Sequence, residues 1–175
     1  MRVVGGTARG RRLQAPAGIS VRPTSDRVRE AVFDVLGSLG GVEGCSVVDL
    51  FAGTGALGIE ALSRGAAAAT FVEGDRGALA SIEANLVTTG LYARATVVRA
   101  DVGSWLPGAG RFDVAFVDPP YSFDAWPSLL AELDSGLAVL ESDREIDVGG
   151  DWKVLKAKHY GGTVVTMAEP ARGQP

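Results

Sequence analysis

With 175 residues, of which 46% are hydrophobic and 22% charged, the chain has the length and composition of one globular domain, which argues against global disorder. No apolar run reaches the roughly 18 residues that a membrane helix needs, and the N-terminus lacks the apolar stretch of a signal peptide, so we expect a cytoplasmic protein without a membrane span. The single cysteine, Cys45, excludes an internal disulfide and a cysteine-cluster metal site, and we expect no metal.

Positive charge is concentrated at the start of the chain. The net charge is −4, but residues 1–30 contain seven arginines against two acidic residues, which gives this segment +5 and leaves −9 for the rest. Arginine suits phosphate because it can donate two parallel hydrogen bonds. The asymmetry predicts a basic arm for nucleic acid on an acidic catalytic body, and a solvated basic face without a partner is the alternative.

The N-terminal segment is predicted to form a hairpin followed by a helix. Residues 2–6 and 11–14 flank a glycine-containing turn, which is typical of two short paired strands. A loop over residues 16–23 follows, and Thr24 or Ser25 then provides the N-cap of a helix.

The apolar residues of this helix recur at steps of three and four, which predicts one buried face. Its members are Val28, Val32, Val35, Leu36 and Leu39. Arg27 and Arg29 fall outside this face, so we expect both side chains to be available to solvent or to a polymer.

From residue 46 onwards, strand-like and helix-like segments alternate, which predicts an α/β, Rossmann-like, doubly wound and mostly parallel sheet of seven strands. The predicted strands are residues 46–50, 69–73, 95–99, 112–117, 137–141, 152–160 and 163–167, the last two forming an antiparallel hairpin. The predicted helices are 59–64, 75–89 and 126–134. We expect one domain with a basic N-terminal extension (1–40), a catalytic core (41–168) and a flexible tail (169–175).

A glycine-rich turn follows the first strand of the core. Gly53, Gly55 and Gly58 fit the pattern G-x-G-x-x-G, in which a nucleotide-like ligand approaches the backbone at a helix N-terminus. The pattern alone does not separate a nicotinamide dinucleotide from S-adenosylmethionine. Asp49 favours the second, because a carboxylate here would repel a pyrophosphate and attract the ammonium and sulfonium groups of S-adenosylmethionine.

Acidic residues also follow the next two strands, and ligands of such sheets bind beyond the carboxyl ends of the strands. Glu73 lies 20 residues after Gly53, the spacing at which an acidic side chain reaches a ribose diol. Asp101 is placed to accept a hydrogen bond from an adenine amine. Each acid taken singly fits a helix cap or a solvated loop equally well, but their positions at successive strand ends favour one shared site.

The run Asp118-Pro119-Pro120-Tyr121 after the fourth strand is the most specific signal. Two prolines fix the backbone and remove two donors, which leaves carbonyl oxygens available as acceptors. An amine bound here can donate one hydrogen to the Asp118 carboxylate and one to the Pro119 carbonyl. Tyr121 offers a face for stacking a planar base, worth about 1–3 kcal/mol per base. A plain Pro-Pro turn is the alternative.

The sequence DLFAGTG at 49–55, together with DPPY at 118–121, resembles the class I S-adenosylmethionine-dependent amino-methyltransferases. RVVGG at 2–6, RGR at 9–11, RPTSDRVRE at 22–30 and GALGIEALSRG at 55–65 closely resemble the bacterial 16S rRNA (guanine(966)-N(2))-methyltransferase family. The likeness covers nearly the whole chain and weakens after residue 143.

This resemblance implies methylation of the exocyclic N2 of one guanine, position 966, in 16S rRNA, with S-adenosylmethionine converted to S-adenosylhomocysteine. It also implies action on a 30S assembly intermediate with ribosomal proteins, and we expect a monomer. The implied cofactor residues are Asp49, Phe51, Gly53, Thr54, Gly55, Glu73, Gly74, Asp101 and Val102. The implied catalytic residues are Asp118, Pro119, Pro120 and Tyr121, and the implied RNA-binding residues are Arg2, Arg9, Arg11, Arg12, Arg22, Thr24 and Arg27.

Several alternatives share parts of this pattern. An amino-methyltransferase acting on DNA adenine, protein glutamine or a small molecule has the same fold, although many of the adenine and glutamine enzymes have Asn where Asp118 stands. A nicotinamide-dependent oxidoreductase shares the glycine turn, and a non-catalytic RNA-binding module shares the basic arm. For a methyltransferase we expect in-line transfer to a flipped-out base, governed by positioning and without a covalent enzyme intermediate. His159 is predicted to be structural.

Overall fold

The computed structural model describes residues 1–18 and 24–171. Within these residues, seven strands form one sheet in the order β3-β2-β1-β4-β5-β7-β6. β1 to β5 are parallel, and β7 is antiparallel to both of its neighbours. The strands are β1 (Ser46–Leu50), β2 (Ala68–Glu73), β3 (Ala95–Arg99), β4 (Phe112–Val117), β5 (Ser135–Ser142), β6 (Trp152–Tyr160) and β7 (Thr163–Pro170). The predicted fold is confirmed.

Helices cover both faces of the sheet. They are α1 (Asp26–Ser38), α2 (Ala56–Ser63), α3 (Arg76–Thr89), α4 (Val102–Trp105) and α5 (Trp126–Glu132). Because side chains alternate along a strand, Val47 packs into the core under α1, α2 and α3, whereas Val48 packs into the core under α4 and α5. No helix in the described part of the chain is long and apolar enough to cross a membrane.

The strand order reverses between β1 and β4. These two strands are parallel neighbours, so their carboxyl ends lie at the same edge of the sheet. At such a reversal the loops after the two strands leave in opposite directions and open a crevice. The residues that follow β1 and β4 are therefore brought together, although they are far apart in the sequence.

The N-terminal segment is paired with itself and packed on α2. The predicted hairpin is present as a short antiparallel pairing, in which the Val3 N–H donates to the Arg11 carbonyl at 3.0 Å. The buried carboxylate of Glu60 accepts hydrogen bonds from the backbone of Val4 at 2.9 Å and of Gly5 at 2.7 Å. Gly6 has a φ of +75°, and a Cβ there would lie 1.9 Å from a backbone oxygen of α2, so only glycine fits this contact.

The structure corrects one expectation for α1. Ser25 is its N-cap, as predicted, but Arg29 is fully buried instead of available to solvent. Its guanidinium donates to the Thr24 carbonyl at 3.2 Å and to Asp26 at 2.9 Å, and lies 3.8 Å from Glu60. The apolar spacing did not reveal these polar partners, which come from the capping residues and from α2.

Two other expectations also change. Leu39, assigned to the buried face of α1, is 47% exposed because the helix ends one residue earlier. The predicted tail is wrong in its first two residues, since β7 extends through Pro170 and the next backbone N–H donates to the Asp151 carbonyl at 2.8 Å. Residues 19–23 of the predicted loop, including Arg22, and residues 172–175 of the tail lie outside the described residues.

Candidate active site

A cleft of about 450 Å³ opens beyond the carboxyl ends of the parallel strands, and its volume is in the range of small-molecule sites. Two groups of residues face each other across it. We call them the glycine side (Asp49, residues 51–54 and Glu73) and the proline side (Thr24, residues 118–121 and Glu141).

The loop after β1 has an unusual backbone. Phe51 has a φ of 58°, a left-handed conformation that is uncommon for a bulky residue, while Gly53 and Gly55 have φ values of +57° and +77°. Gly55 is the N-cap of α2 and its N–H donates to the Ala52 carbonyl at 2.7 Å. The surrounding structure must hold such a strained backbone in place, and strained residues are concentrated at ligand sites and active sites.

Glu73 fixes this loop to the end of β2. Its Oε2 accepts a hydrogen bond from the Gly53 N–H at 2.8 Å, and its Oε1 accepts from the N–H groups of Gly74 and Asp75 at 2.9 Å each. Three backbone amides thus hold the carboxylate at the edge of the cleft. The ribose contact of this side chain stays a prediction.

Asp49 is buried beneath the same loop. Its Oδ2 accepts a hydrogen bond from the Gly58 N–H at 2.9 Å, and Asp49 as a whole is only 2% exposed. Burial raises the pKa of Asp49 to about 8, with a smaller contribution from the charge of Glu73, although the Gly58 hydrogen bond opposes the shift. The carboxyl is therefore largely neutral at pH 7, and a bound cation would favour its charged form.

On the proline side, two carboxyl groups meet one hydroxyl. Thr24 Oγ1 lies 3.2 Å from Asp118 Oδ2 and 2.8 Å from Glu141 Oε2. Burial raises the pKa of Asp118 well above its usual range, and the charges of Glu141 and Asp49 raise it further, against the hydrogen bond from Thr24.

The rest of the proline side presents acceptors and an aromatic ring. Pro119 is buried, and no donor among the described residues contacts its carbonyl oxygen. The Pro120 carbonyl accepts from the Phe123 N–H at 2.8 Å. The Tyr121 hydroxyl lies 3.0 Å from Thr163 Oγ1 at the start of β7, which anchors the ring at the edge of the cleft. The arrangement can hold an amine between a carboxyl group and a carbonyl oxygen.

The chain is similar to known proteins in its sequence and in its fold. Residues 1–169 match the family model described as conserved hypothetical protein 95. The chain belongs to this family. It is 39% identical to the protein YlbH of Bacillus subtilis, over 95% of this chain and 97% of that one. It is 33% identical to the ribosomal RNA small subunit methyltransferase D of Haemophilus influenzae, over 92% of this chain and 89% of that one.

The fold agrees with this membership. The solved structure of the protein yhhF of Escherichia coli superimposes with a TM-score of 0.85 and 34% sequence identity, over 97% of both chains. The chain is thus a methyltransferase of the conserved hypothetical protein 95 family.

Most of the residues predicted for the site line the cleft of this family member. On the glycine side they are Asp49, Phe51, Gly53, Thr54 and Glu73, and on the proline side they are Asp118, Pro119, Pro120 and Tyr121. Gly55, Gly74, Asp101 and Val102 do not line it. Asp101 is exposed and is the N-cap of α4, where its Oδ1 accepts from the Ser104 N–H at 3.0 Å. This residue is thus a helix cap, and its contact with the adenine amine stays a prediction.

The predicted RNA-binding residues separate into two groups. The side chains of Arg2, Arg9, Arg11, Arg12 and Arg27 are exposed. Thr24 is instead buried, 8% exposed, and belongs to the cleft through its contact with Asp118. Its neighbour in the sequence motif, Arg22, lies outside the described residues.

Glu141 is a site residue that the sequence reasoning missed. It is buried near the end of β5 and lines the cleft beside Asp118. The signal was available, because an acid at the carboxyl end of a parallel strand is the same criterion that selected Asp49, Glu73 and Asp118. Asp75 and the small apolar residues Ala52, Ala56 and Ala78 also line the cleft without having been predicted.

Proposed function

We propose that the protein methylates the exocyclic N2 of guanine 966 in 16S rRNA. The observation that carries this proposal is the pair of acceptors at the proline side, the Asp118 carboxyl and the Pro119 carbonyl, which face the glycine side across one cleft. An exocyclic amine has two hydrogens to donate, and the pair can accept both. The name of the Haemophilus influenzae relative supports ribosomal RNA of the small subunit as the substrate class.

The glycine side fits S-adenosylmethionine. The left-handed turn at Gly53 and Gly55 exposes backbone close to the cleft, Glu73 is held where a ribose diol can donate to it, and Asp49 can balance a positive charge. When bound, S-adenosylmethionine supplies a methyl group activated by the sulfonium. The protein's own contribution is to orient the amine and to exclude water from the cleft.

The exposed arginines supply the second support for an RNA substrate. Arg9 and Arg11 lie on the N-terminal hairpin, and Arg27 lies in the first turn of α1, so they belong to the segment that carries Thr24 into the cleft. Contacts between arginine and phosphate would place the RNA backbone beside this entrance, and Tyr121 would stack the extruded base. The substrate in this proposal is an assembling 30S particle with ribosomal proteins, acted on by a monomer in the cytoplasm.

The test is a methylation assay with four acceptors and labelled S-adenosylmethionine. Purified protein is incubated with 30S particles that lack the modification, naked 16S rRNA, duplex DNA and a mixture of unmodified proteins. We expect label in the small-subunit rRNA only, with 30S particles the better acceptor. Label in DNA or protein instead of rRNA would replace this proposal by one of the alternative amino-methyltransferases.

A further inference from the structure

The proposed function gives no role to Thr24 or Glu141, although both are buried in the cleft at 8% and 7% exposure. Their contacts converge on the residue that receives the amine, since Thr24 Oγ1 lies 2.8 Å from Glu141 Oε2 and 3.2 Å from Asp118 Oδ2. We propose that Thr24, Asp118 and Glu141 form one proton-accepting unit, in which Asp118 takes the proton that the methylated amine must lose. The inference rests on the proposed function, methyl transfer to an amine.

Methyl transfer leaves a proton to be removed. The amine nitrogen uses its lone pair to form the bond to the methyl carbon, while the carbon–sulfur bond breaks and its electron pair stays on sulfur. The nitrogen then has a positive charge and one hydrogen more than the neutral product. Asp118 in its carboxylate form accepts that hydrogen as a proton, which leaves a neutral methylated amine on the base and a neutral carboxyl group on Asp118.

The three side chains suit this step because they can share one proton. A threonine hydroxyl has a single hydrogen, so Thr24 can donate to only one of the two carboxyl groups at a time. When one carboxyl is protonated, it can donate to Oγ1 while Oγ1 donates to the other carboxylate. Two unprotonated carboxylates would leave two like charges close together in a buried place, which is unfavourable.

Glu141 also makes Asp118 a stronger base. Burial and the negative charge of Glu141 raise the pKa of Asp118 well above its usual range. A general base works best when its pKa is close to the working pH, so an ordinary aspartate would take the proton less readily. Thr24 and Glu141 act through Asp118 and are positioning residues in this account.

The other titratable side chains of the cleft do not belong to this unit. The remaining titratable side chains that line it are Asp49, Glu73, Asp75 and Tyr121, of which Asp49 also raises the pKa of Asp118. A metal-binding role for the two carboxyl groups is not favoured, because the described residues contain no group of three or more acidic, histidine or cysteine side chains that could hold an ion.

The test is the pH dependence of single-turnover methyl transfer at saturating S-adenosylmethionine and 30S particles. Glu141→Gln removes the second charge and keeps the shape, Thr24→Val removes the hydroxyl and keeps the shape, and Thr24→Ser restores a hydroxyl. Glu132→Gln, at the exposed end of α5, is the matched control.

In the unsubstituted protein we expect the rate to fall at low pH as Asp118 becomes protonated. In Glu141→Gln this fall moves to lower pH by about one unit, and the plateau rate drops about tenfold, because Asp118 becomes a weaker base. Thr24→Val should be slower by about tenfold at an unchanged affinity for the cofactor, with Thr24→Ser within about twofold of the unsubstituted rate. Glu132→Gln should leave the profile unchanged.

Two results would overturn the proposal without touching the proposed function: a Glu141→Gln profile that coincides with the original, or a Thr24→Ser rate as low as that of Thr24→Val. A lack of rRNA methylation by the unsubstituted protein would count against the proposed function instead. In that case a carboxyl ¹³C NMR titration of the protein alone tests the unit of Thr24, Asp118 and Glu141. Asp118 must titrate above the ordinary aspartate range and must titrate lower in Glu141→Gln, and an ordinary titration would overturn the unit.

Discussion

Carboxyl groups on the two sides of the cleft are held in opposite ways. On the glycine side, Asp49 and Glu73 accept hydrogen bonds from backbone amides that are at most 20 positions away in the sequence. On the proline side, Asp118 and Glu141 meet the hydroxyl of Thr24, from which they are separated by 94 and 117 positions. The glycine side is therefore organised by its own loop, whereas the proline side depends on how the N-terminal segment packs.

This difference has a functional consequence. Backbone amides give a carboxylate fixed donors, which suits a pocket that must hold one cofactor in one pose. A single hydroxyl between two carboxyl groups leaves their protonation open to change, which suits the side where a proton must be taken up. Substitutions on the two sides should accordingly affect different measurements.

The largest effect, and one confined to the proline side, is expected for Asp118→Ala. Loss of the group that orients the amine and takes its proton should lower the rate of methyl transfer by about 10²–10⁴-fold. The affinity for S-adenosylmethionine should stay unchanged, because that ligand is held on the glycine side. Single-turnover assays and calorimetry measure the two quantities, with the exposed Asp124→Ala as control. A parallel loss of cofactor affinity would show that the two sides are not separate.

Arg29→Met tests how far the proline side depends on the N-terminal segment. The substitution removes one of two cations beside the fully buried Glu60, since Arg64 stays at 2.9 Å, and it takes the Arg29 donor from the Thr24 carbonyl. We therefore expect the free energy of unfolding to fall by about 1–3 kcal/mol. Arg27→Met, at an exposed position of the same helix, should change it by less than about 0.5 kcal/mol. Denaturant titrations compare the two, and equal stabilities would contradict the buried role of Arg29.

Glu73→Gln addresses the glycine side. An amide cannot accept at both of its ends, so at least one of the three backbone donors would lose its partner. With about 1.5–3 kcal/mol for a hydrogen bond to a charged group, we expect the affinity for S-adenosylmethionine to fall roughly 10–100-fold. Binding of rRNA should not change. Calorimetry with the cofactor and filter binding with the RNA separate these effects. Weaker RNA binding would count against the division of the cleft into a cofactor side and a substrate side.

The charge state of Asp49 gives a pH-dependent prediction. With its pKa at about 8, the carboxyl is protonated at lower pH, and binding of a cation beside it should release that proton. Affinity for S-adenosylmethionine should therefore rise with pH, by up to about tenfold per unit, and level off above pH 8. Calorimetry in buffers with different ionisation enthalpies counts the released protons. Asp49→Asn should lose this contribution, whereas identical proton release in both proteins would place the cation elsewhere.

The smallest effect is expected at the exposed arginines. Replacing Arg9 and Arg11 with alanine should weaken rRNA binding several-fold and reduce the steepness of its salt dependence by about 0.7–0.9 for each phosphate that is no longer neutralised. Cofactor affinity and stability should not change. Arg111→Ala, at an exposed position paired with Asp134, controls for a general loss of charge. A salt dependence equal to that of the unsubstituted protein would exclude the hairpin from the RNA interface.

The same contrast explains which features the sequence could predict. The seven strands, the glycine loop and Glu73 follow from local spacing, because each involves residues close together in the chain, although β5 and β7 are longer than predicted. The cleft position of Thr24 does not, since its partners are Asp118 after β4 and Glu141 in β5. The buried state of Arg29 does not either, since a polar residue between apolar ones normally indicates exposure and Glu60 comes from α2. The adenine contact of Asp101 stays a prediction, because a strand-end acid and a helix N-cap look alike in the sequence and this residue caps α4 through Oδ1.

The most direct test of the central claim is the identity of the methylated nucleoside. The 30S particles are incubated with the protein, and their rRNA is digested and examined by mass spectrometry, with Asp118→Ala in parallel. We predict N2-methylguanosine from one site at position 966, formed by the unsubstituted protein and nearly absent with Asp118→Ala. Methylation of an adenine, or equal amounts of N2-methylguanosine with both proteins, would contradict the assignment of the proline side to a guanine amine.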